Sequence, residues 1–253
     1  MTSIKIQIAG RIVAVAAMYE STRDFCGAYL CEGEPDFAVE ATAADIALER
    51  EKSAAEDRRE GNPIRNFSDA YLETIAVQRK IAEKLFDYDT LLVHGSVVAV
   101  DGQGYLFTAK SGTGKSTHTR LWREVFGDRA VMVDDDKPFL RMTGAGVTVC
   151  GTPWNGKHRI GNNICVPLKA VCILERGIEN EIRRIPARDA LFMLLQQSNR
   201  PQSRERMPKY MELVDKLAGS VEFYRLACNM EPRAAVVSYE AMSGLRKEQN
   251  DED

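Results

Sequence analysis

The chain has 253 residues, 44% of them hydrophobic and 28% charged, with a formal net charge of −3. A chain of this length buries roughly three quarters of its unfolded surface, enough for one core with a smaller module beside it. The mixed, slightly acidic charge argues against a general nucleic-acid surface, and no uninterrupted apolar run approaches the roughly eighteen residues of a membrane span.

The N-terminus, Met1-Thr-Ser-Ile-Lys-Ile, lacks the apolar segment of a secretory signal, and a cytoplasmic location is expected. Residues 4–18 alternate or run apolar around Gly10, which predicts two short strands joined by a turn, with another strand around 36–39. From Ala41 to about Glu60 the Ala, Glu and Arg content predicts a helix with a solvated charged face, ended by Gly61-Asn62-Pro63. Ser68 can cap a second helix running to about Tyr88. A strand over 91–100 then carries His94 and Ser96 on one face and turns through Asp101-Gly-Gln-Gly104 into the next.

That next strand breaks into the central feature, Tyr105-Leu-Phe-Thr-Ala-Lys-Ser-Gly-Thr-Gly-Lys-Ser-Thr117, followed by a helical segment to Phe126. The pattern differs from G-x-x-x-x-G-K-[ST] at its first position, Ala109, but Gly112 and Gly114 still permit close backbone approach. Strand, loop and helix together set backbone N–H groups and a helix N-terminus around a triphosphate: Ser111, Gly112, Thr113, Gly114, Lys115, Ser116 and Thr117 form the cradle. In it Lys115 reaches the β/γ oxygens and Ser116 can ligate Mg²⁺, for which Mn²⁺ is a substitute.

Residues 130–133 read as a buried strand ending in Asp134-Asp-Asp136. Those carboxylates suit a metal ligand and a base that takes a proton from an incoming hydroxyl. Strands at 139–142 and 147–150 precede a polar, glycine-rich segment, 151–161. There Trp154, Asn155, Lys157, His158 and Arg159 suit contact with an anionic substrate or the transferred phosphate. Strands at 166–174, 181–185 and 221–226, and helices at 187–198, 204–218 and after Pro232, close the fold, leaving a charged tail. The six cysteines (Cys26, Cys31, Cys150, Cys165, Cys172, Cys228) show no C-x-x-C or zinc spacing and are expected as reduced thiols. Trp122 and the stripe Met207, Tyr210, Met211, Val214, Leu217 read as packing residues. Lys137 reads as a counter-charge, and His118 faces either phosphate or solvent.

His94-Gly95, the loop Ser111-Gly-Thr-Gly-Lys-Ser116 and Val133-Asp-Asp-Asp136 together resemble the active-site order of HPr serine kinase/phosphorylase and of ATP-dependent phosphoenolpyruvate carboxykinase, which share a nucleotide-binding core. The likeness spans roughly residues 90–176. Through Ser-Gly-Thr-Gly-Lys-Ser-Thr-His-Thr and Asp-Asp-Lys-Pro the chain is similar to peptide-modifying relatives of HPr kinase, which phosphorylate a serine of a ribosomally made precursor. The resemblance implies an α/β fold: a P-loop core of mixed β-sheet with flanking helices over 89–246, a small N-terminal α+β module over 1–88 and the tail 247–253. It implies an ATP- and Mg²⁺-dependent kinase acting on a hydroxyl of a peptide, a protein or a small molecule such as free serine. A carboxykinase-like lyase and a low-turnover ATP-binding adaptor are the alternatives, and a homo-oligomer stays open. By the same match His94, Lys115, Asp135 and Asp136 are the catalytic residues, with Ser116, Asp135 and Asp136 around the metal. Chemically, the His94 imidazole could orient the nucleophile, tune the adjacent carboxylate or ligate metal.

Overall fold

A computed structural model describes residues 2–244, so the expected charged tail at 247–253 lies outside the described residues. The chain divides into two compact units between Leu85 and Phe86.

In the first unit β1 (Thr2–Ile8) and β2 (Arg11–Ala17) form an antiparallel hairpin. Its turn places both Ala9 and Gly10 at positive φ, the geometry that matches the twist of paired strands. Period-2 alternation buries Ile4, Ile6 and Ile8 with Val13, Val15 and Ala17. After the short helix α1 (Ser21–Phe25), β3 (Phe37–Glu40) pairs parallel with β2. Thr42 and Asp45 form a capping box that starts α2 (Ala43–Glu60), and Gly61 ends it in the left-handed region at φ 72°. The N–H of Tyr71 donates to Ser68 Oγ at the start of α3 (Asp69–Leu85). The charged face of α2 is not wholly solvated, because Glu49 and Asp57 are buried against Arg79 and Arg65. Glu73, fully buried on α3, accepts from the N–H groups of Met18 and Tyr19 and from the Thr22 hydroxyl, and so pins the turn that follows β2.

The second unit runs β4 (Thr90–Leu92), β5 (Ser96–Val100), β6 (Gln103–Thr108), α4 (Lys115–Phe126), β7 (Ala130–Asp134), β8 (Phe139–Thr143), β9 (Gly146–Cys150), β10 (Cys165–Arg176), β11 (Glu181–Ile185), α5 (Ala187–Gln197), α6 (Met207–Ser220), β12 (Glu222–Cys228) and α7 (Arg233–Ser243). Among the described residues nine strands form one mixed sheet in the order β4-β8-β9-β10-β6-β5-β7, with β12 beside β10 and β11 outside β12. The length of β10 makes this possible. Its first residues pair antiparallel with β9, and its later ones run parallel between β6 and β12.

Alternating side chains give the sheet two apolar faces. Val97, Ala99, Leu106, Val171 and Phe223 pack under α5 and α6, while Val98, Val100, Tyr105, Phe107, Cys172 and Leu226 pack under α4 and α7. Trp122, fully buried, anchors the second face as expected. In α6 the buried stripe is Tyr210, Leu213, Val214 and Leu217, whereas Met207 and Met211 are exposed, which corrects the expected stripe at two positions.

Two further expectations are corrected here. The strand expected over 91–100 is broken between β4, which pairs with β8, and β5, which pairs with β6 and β7; Gly95 stands at the break, where a Cβ would lie 2.6 Å from Leu106 Cδ1 and 3.0 Å from the Phe107 carbonyl oxygen. Cys150 and Cys165, directly opposed in the β9–β10 register, form a disulfide and are not reduced thiols.

Replacing Glu73 by Ala strands three donors in the first unit. A stability loss of about 3 kcal/mol is expected in urea unfolding, and a loss under about 1 kcal/mol would contradict the pinning role.

Candidate active site

The sheet's connectivity brings the sequence-predicted residues together. Because β5 runs antiparallel to both β6 and β7, the start of β5 and the ends of β6 and β7 share one edge. His94 precedes β5, the glycine-spaced loop follows β6, and Asp135 and Asp136 follow β7.

In the loop Gly112 (φ 74°) and Gly114 (φ 122°) occupy backbone conformations that side-chain-bearing residues rarely adopt, and Gly114 caps α4. Ser111, Gly112 and Ser116 are exposed, and Thr113, Gly114 and Thr117 are half-buried. Lys115 is buried, its Nζ donating to the Ala109 carbonyl at 3.1 Å. Burial lowers its pKa, partly countered by the carboxylates of Asp136 and Asp135, while the charge of Lys137 adds to the lowering.

Of the three consecutive aspartates, Asp134 has a structural task. It is fully buried and accepts from the N–H groups of Asp136, Lys137 and Thr152, each at 2.8 Å, with the Thr152 hydroxyl at 2.9 Å. Burial pushes its pKa up to about 7 against the pull of those donors. Asp135, also buried, accepts the Ser96 hydroxyl at 2.6 Å, and Ser96 in turn meets Thr119 on α4 at 2.8 Å. Asp136 is 35% exposed and lies 3.2 Å from His94 Nε2, with Lys137 Nζ at 3.7 Å. Burial raises the Asp136 pKa, but the His94 hydrogen bond and the charges of Lys137 and Lys115 outweigh it and leave it below the usual range. The structure thus assembles His94, Lys115, Asp135 and Asp136, with Lys137 as the expected counter-charge.

The segment 151–164 folds back against the end of β7. A Cβ on Gly151 would sit 2.1 Å from the Asn162 carbonyl oxygen and 2.5 Å from that of Val133, so only glycine fits. A Cβ on Gly156 would lie 3.5 Å from the Asp135 carbonyl oxygen and from Asp136 Cβ, so the segment's backbone runs close to the acidic pair at this point. Lys157, His158 and Arg159 are exposed. Trp154 and Asn155 are buried, contrary to the expectation that this polar segment stays outside the core.

His118 faces neither phosphate nor solvent. It is buried under α7, with Nε2 3.1 Å from both Ser238 Oγ and Trp122 Nε1. Sequence reasoning missed this partnership, and it also missed Arg176, whose Nη2 donates to the Gly112 carbonyl at 2.6 Å. Arg176 had a legible signal, as the last residue of a strand parallel to β6.

The fold and site define an α/β protein whose helix-flanked mixed sheet carries a glycine-spaced loop, an acidic pair and a histidine at one edge. The chain belongs to the family described as SynChlorMet cassette protein ScmC, whose profile matches residues 63–241. No curated protein matches it in sequence. Among solved structures, the Hpr(Ser) kinase/phosphatase from Coxiella burnetii aligns over 64% of this chain and 94% of its own, at 10% identity and a TM-score of 0.38. No helix among the described residues is long and apolar enough to cross a membrane.

Burial holds the His118 pKa down at about 4, against an ordinary 6.5. Between those values the unfolded chain binds a proton that the folded chain does not, so this group's stabilisation, about 3 kcal/mol, is lost as pH falls from 6.5 to 4. In an NMR titration of the three imidazoles, one is expected to stay neutral down to about pH 4. Titration of all three near 6.5 would contradict its burial.

Proposed function

We propose that the chain is an ATP-dependent phosphotransferase with an HPr-kinase-like nucleotide core, passing the γ-phosphoryl group to a hydroxyl, foremost a serine of a peptide or protein. The observation that carries this reading is the convergence of the loop and Lys115 with the His94–Asp136 pair, 3.2 Å apart, at one sheet edge. The loop amides and the N-terminus of α4 suit the phosphates, and the buried Lys115 ammonium suits their β/γ oxygens.

Asp136 acts as the base. It is accessible enough for an acceptor hydroxyl to reach and is oriented by His94. As the acceptor oxygen bonds to the γ-phosphorus, the bond from that phosphorus to the β–γ bridging oxygen breaks, ADP leaves and the hydroxyl proton passes to Asp136. A low carboxylate pKa is compatible with this role, because in a loose transition state the proton moves late.

The donor set fits Mg²⁺, or Mn²⁺ in its place. Ser116 and Asp135 offer hard oxygens, and among the described residues Ser96 engages Asp135 through Oδ1 only. Among the described residues there is no group of three or more His, Cys, Asp or Glu side chains that could hold a metal ion. A Mg²⁺ ion neutralises charge on the β and γ oxygens when bound. The exposed Lys157, His158 and Arg159, beside the acidic pair, suit an anionic stretch of the acceptor.

With ATP, Mg²⁺ and serine-containing peptides, mass spectrometry should show the gain of one phosphate on the acceptor. Asp136→Asn should lower transfer by about a hundredfold or more with nucleotide affinity kept, and Lys115→Ala should weaken nucleotide binding itself. Unchanged turnover in Asp136→Asn would remove the proposed base, and unchanged ATP affinity in Lys115→Ala would remove the cradle.

A further inference from the structure

The loop stands in the middle of the sheet, on β6, and the acidic pair lies to one side of it, past β5 at the end of β7. On the other side β10 and β12 run parallel to β6 and to each other, so their carboxyl ends open at the same edge. A cleft of ≈ 530 Å³ sits there, continuous with Gly112–Gly114 and floored by α4 and the ends of β10 and β12. That volume is within the roughly 300–1,000 Å³ of small-molecule sites, and crevices outside the carboxyl ends of parallel strands are where α/β sheets hold ligands.

The lining has two unusual members. His118 is 2% exposed, and its Nδ1 is buried with no hydrogen-bond partner among the described residues. The Trp122 indole N–H is shared between Ser238 Oγ at 2.9 Å and His118 Nε2 at 3.1 Å, so the Nε2 edge is engaged and Nδ1 is the ring atom left to bond a ligand, as donor or acceptor according to the tautomer. Because Ser238 and Trp122 close the opposite ring edge, the cleft is the side from which a partner can come. An unmet buried polar atom of this kind is costly, and a bound partner removes that cost. The second member is Met230, 77% exposed at the rim. The loop that carries it is fixed: Asn229 N–H donates to Asn180 Oδ1, Asn180 Nδ2 donates to Asn229 Oδ1, and Asn229 Nδ2 donates to the Ile178 carbonyl, each at 3.0 Å. A thioether carried by a fixed loop at the rim of an open cleft suits the face of a planar ring. Where cleft and loop join, Arg176 supplies a cation.

We propose that this cleft receives the nucleoside of the bound nucleotide, with His118 Nδ1 hydrogen-bonded to the base or ribose and Met230 covering the base. The proposal rests on the phosphate-binding reading of the loop and adds to it the direction in which the nucleotide lies: base toward β10 and β12, γ-phosphoryl toward β7 and Asp136.

The test is calorimetric titration of the full chain with Mg-ATP and with Mg-tripolyphosphate, in the wild type, Met230→Ala and His118→Leu. Met230→Ala changes an exposed side chain and leaves the core intact, so it serves even if His118→Leu folds poorly. The wild type should bind ATP at least about tenfold more tightly than tripolyphosphate, and each variant should shrink that ratio by about threefold or more with tripolyphosphate affinity unchanged. Equal affinity for the two ligands in the wild type would overturn the nucleoside cleft and leave the phosphate cradle standing. So would an ATP preference untouched in Met230→Ala and in a folded His118→Leu. Binding of neither ligand would overturn both readings.

Discussion

The site depends most on one buried carboxylate. Asp134 ends β7 in the interior, and its two oxygens are shared between two pieces of chain. Oδ1 takes the N–H groups of Asp136 and Lys137, and Oδ2 takes Thr152 from the segment beyond β9. Burying a carboxyl is costly unless donors surround it, and here three N–H groups and a hydroxyl do so. Those donors fix the turn that carries Asp135 and Asp136 and tie the 151–164 segment to it. The backbone of the acidic pair is therefore held from beneath, and its side chains are oriented by Ser96 and His94.

The same constraint explains the glycines around it. With Thr152 held at Asp134, the chain entering and leaving the segment must pass against the backbone of β7, and Gly151 and Gly161 stand where any Cβ would come within 3.0 Å of the Val133 carbonyl oxygen or closer. Trp154 and Asn155 follow Thr152 into the interior because the segment is drawn inward before it emerges at Lys157. Buried polar anchors of this kind give a loop one conformation, which a positioning site requires.

Much of this was legible in the sequence where the signal is local. Period-2 alternation placed the strands, the Ala, Glu and Arg content with the stop at Gly61 placed α2, and the spacing of Gly112, Gly114 and Lys115 marked the loop. What escaped depends on partners distant in the chain. The resemblance set Asp135 and Asp136 apart from Asp134, but the task of Asp134 as a buried anchor shows only in its partners. His118 gains its character from Ser238, 120 residues later, and the Cys150–Cys165 bridge follows from a strand register that spacing alone does not reveal. The break at Gly95 likewise reflects a change of pairing partner, from β8 to β6 and β7, that the sequence does not show.

The sheet order separates the acidic pair from the cleft. With β6 in the middle, everything on the β5–β7 side is held by Asp134, Ser96 and the segment tied to them, while everything on the β10–β12 side is held by Arg176 and the Asn180–Asn229 pair. Among the contacts described, the two sets meet at the loop and the first turns of α4. In the short run from Lys115 to Thr119, Lys115 faces the carboxylates, His118 faces α7 and Thr119 meets Ser96. One turn of helix is thus a structural link between the cleft and the acidic pair, beside the strands that connect them.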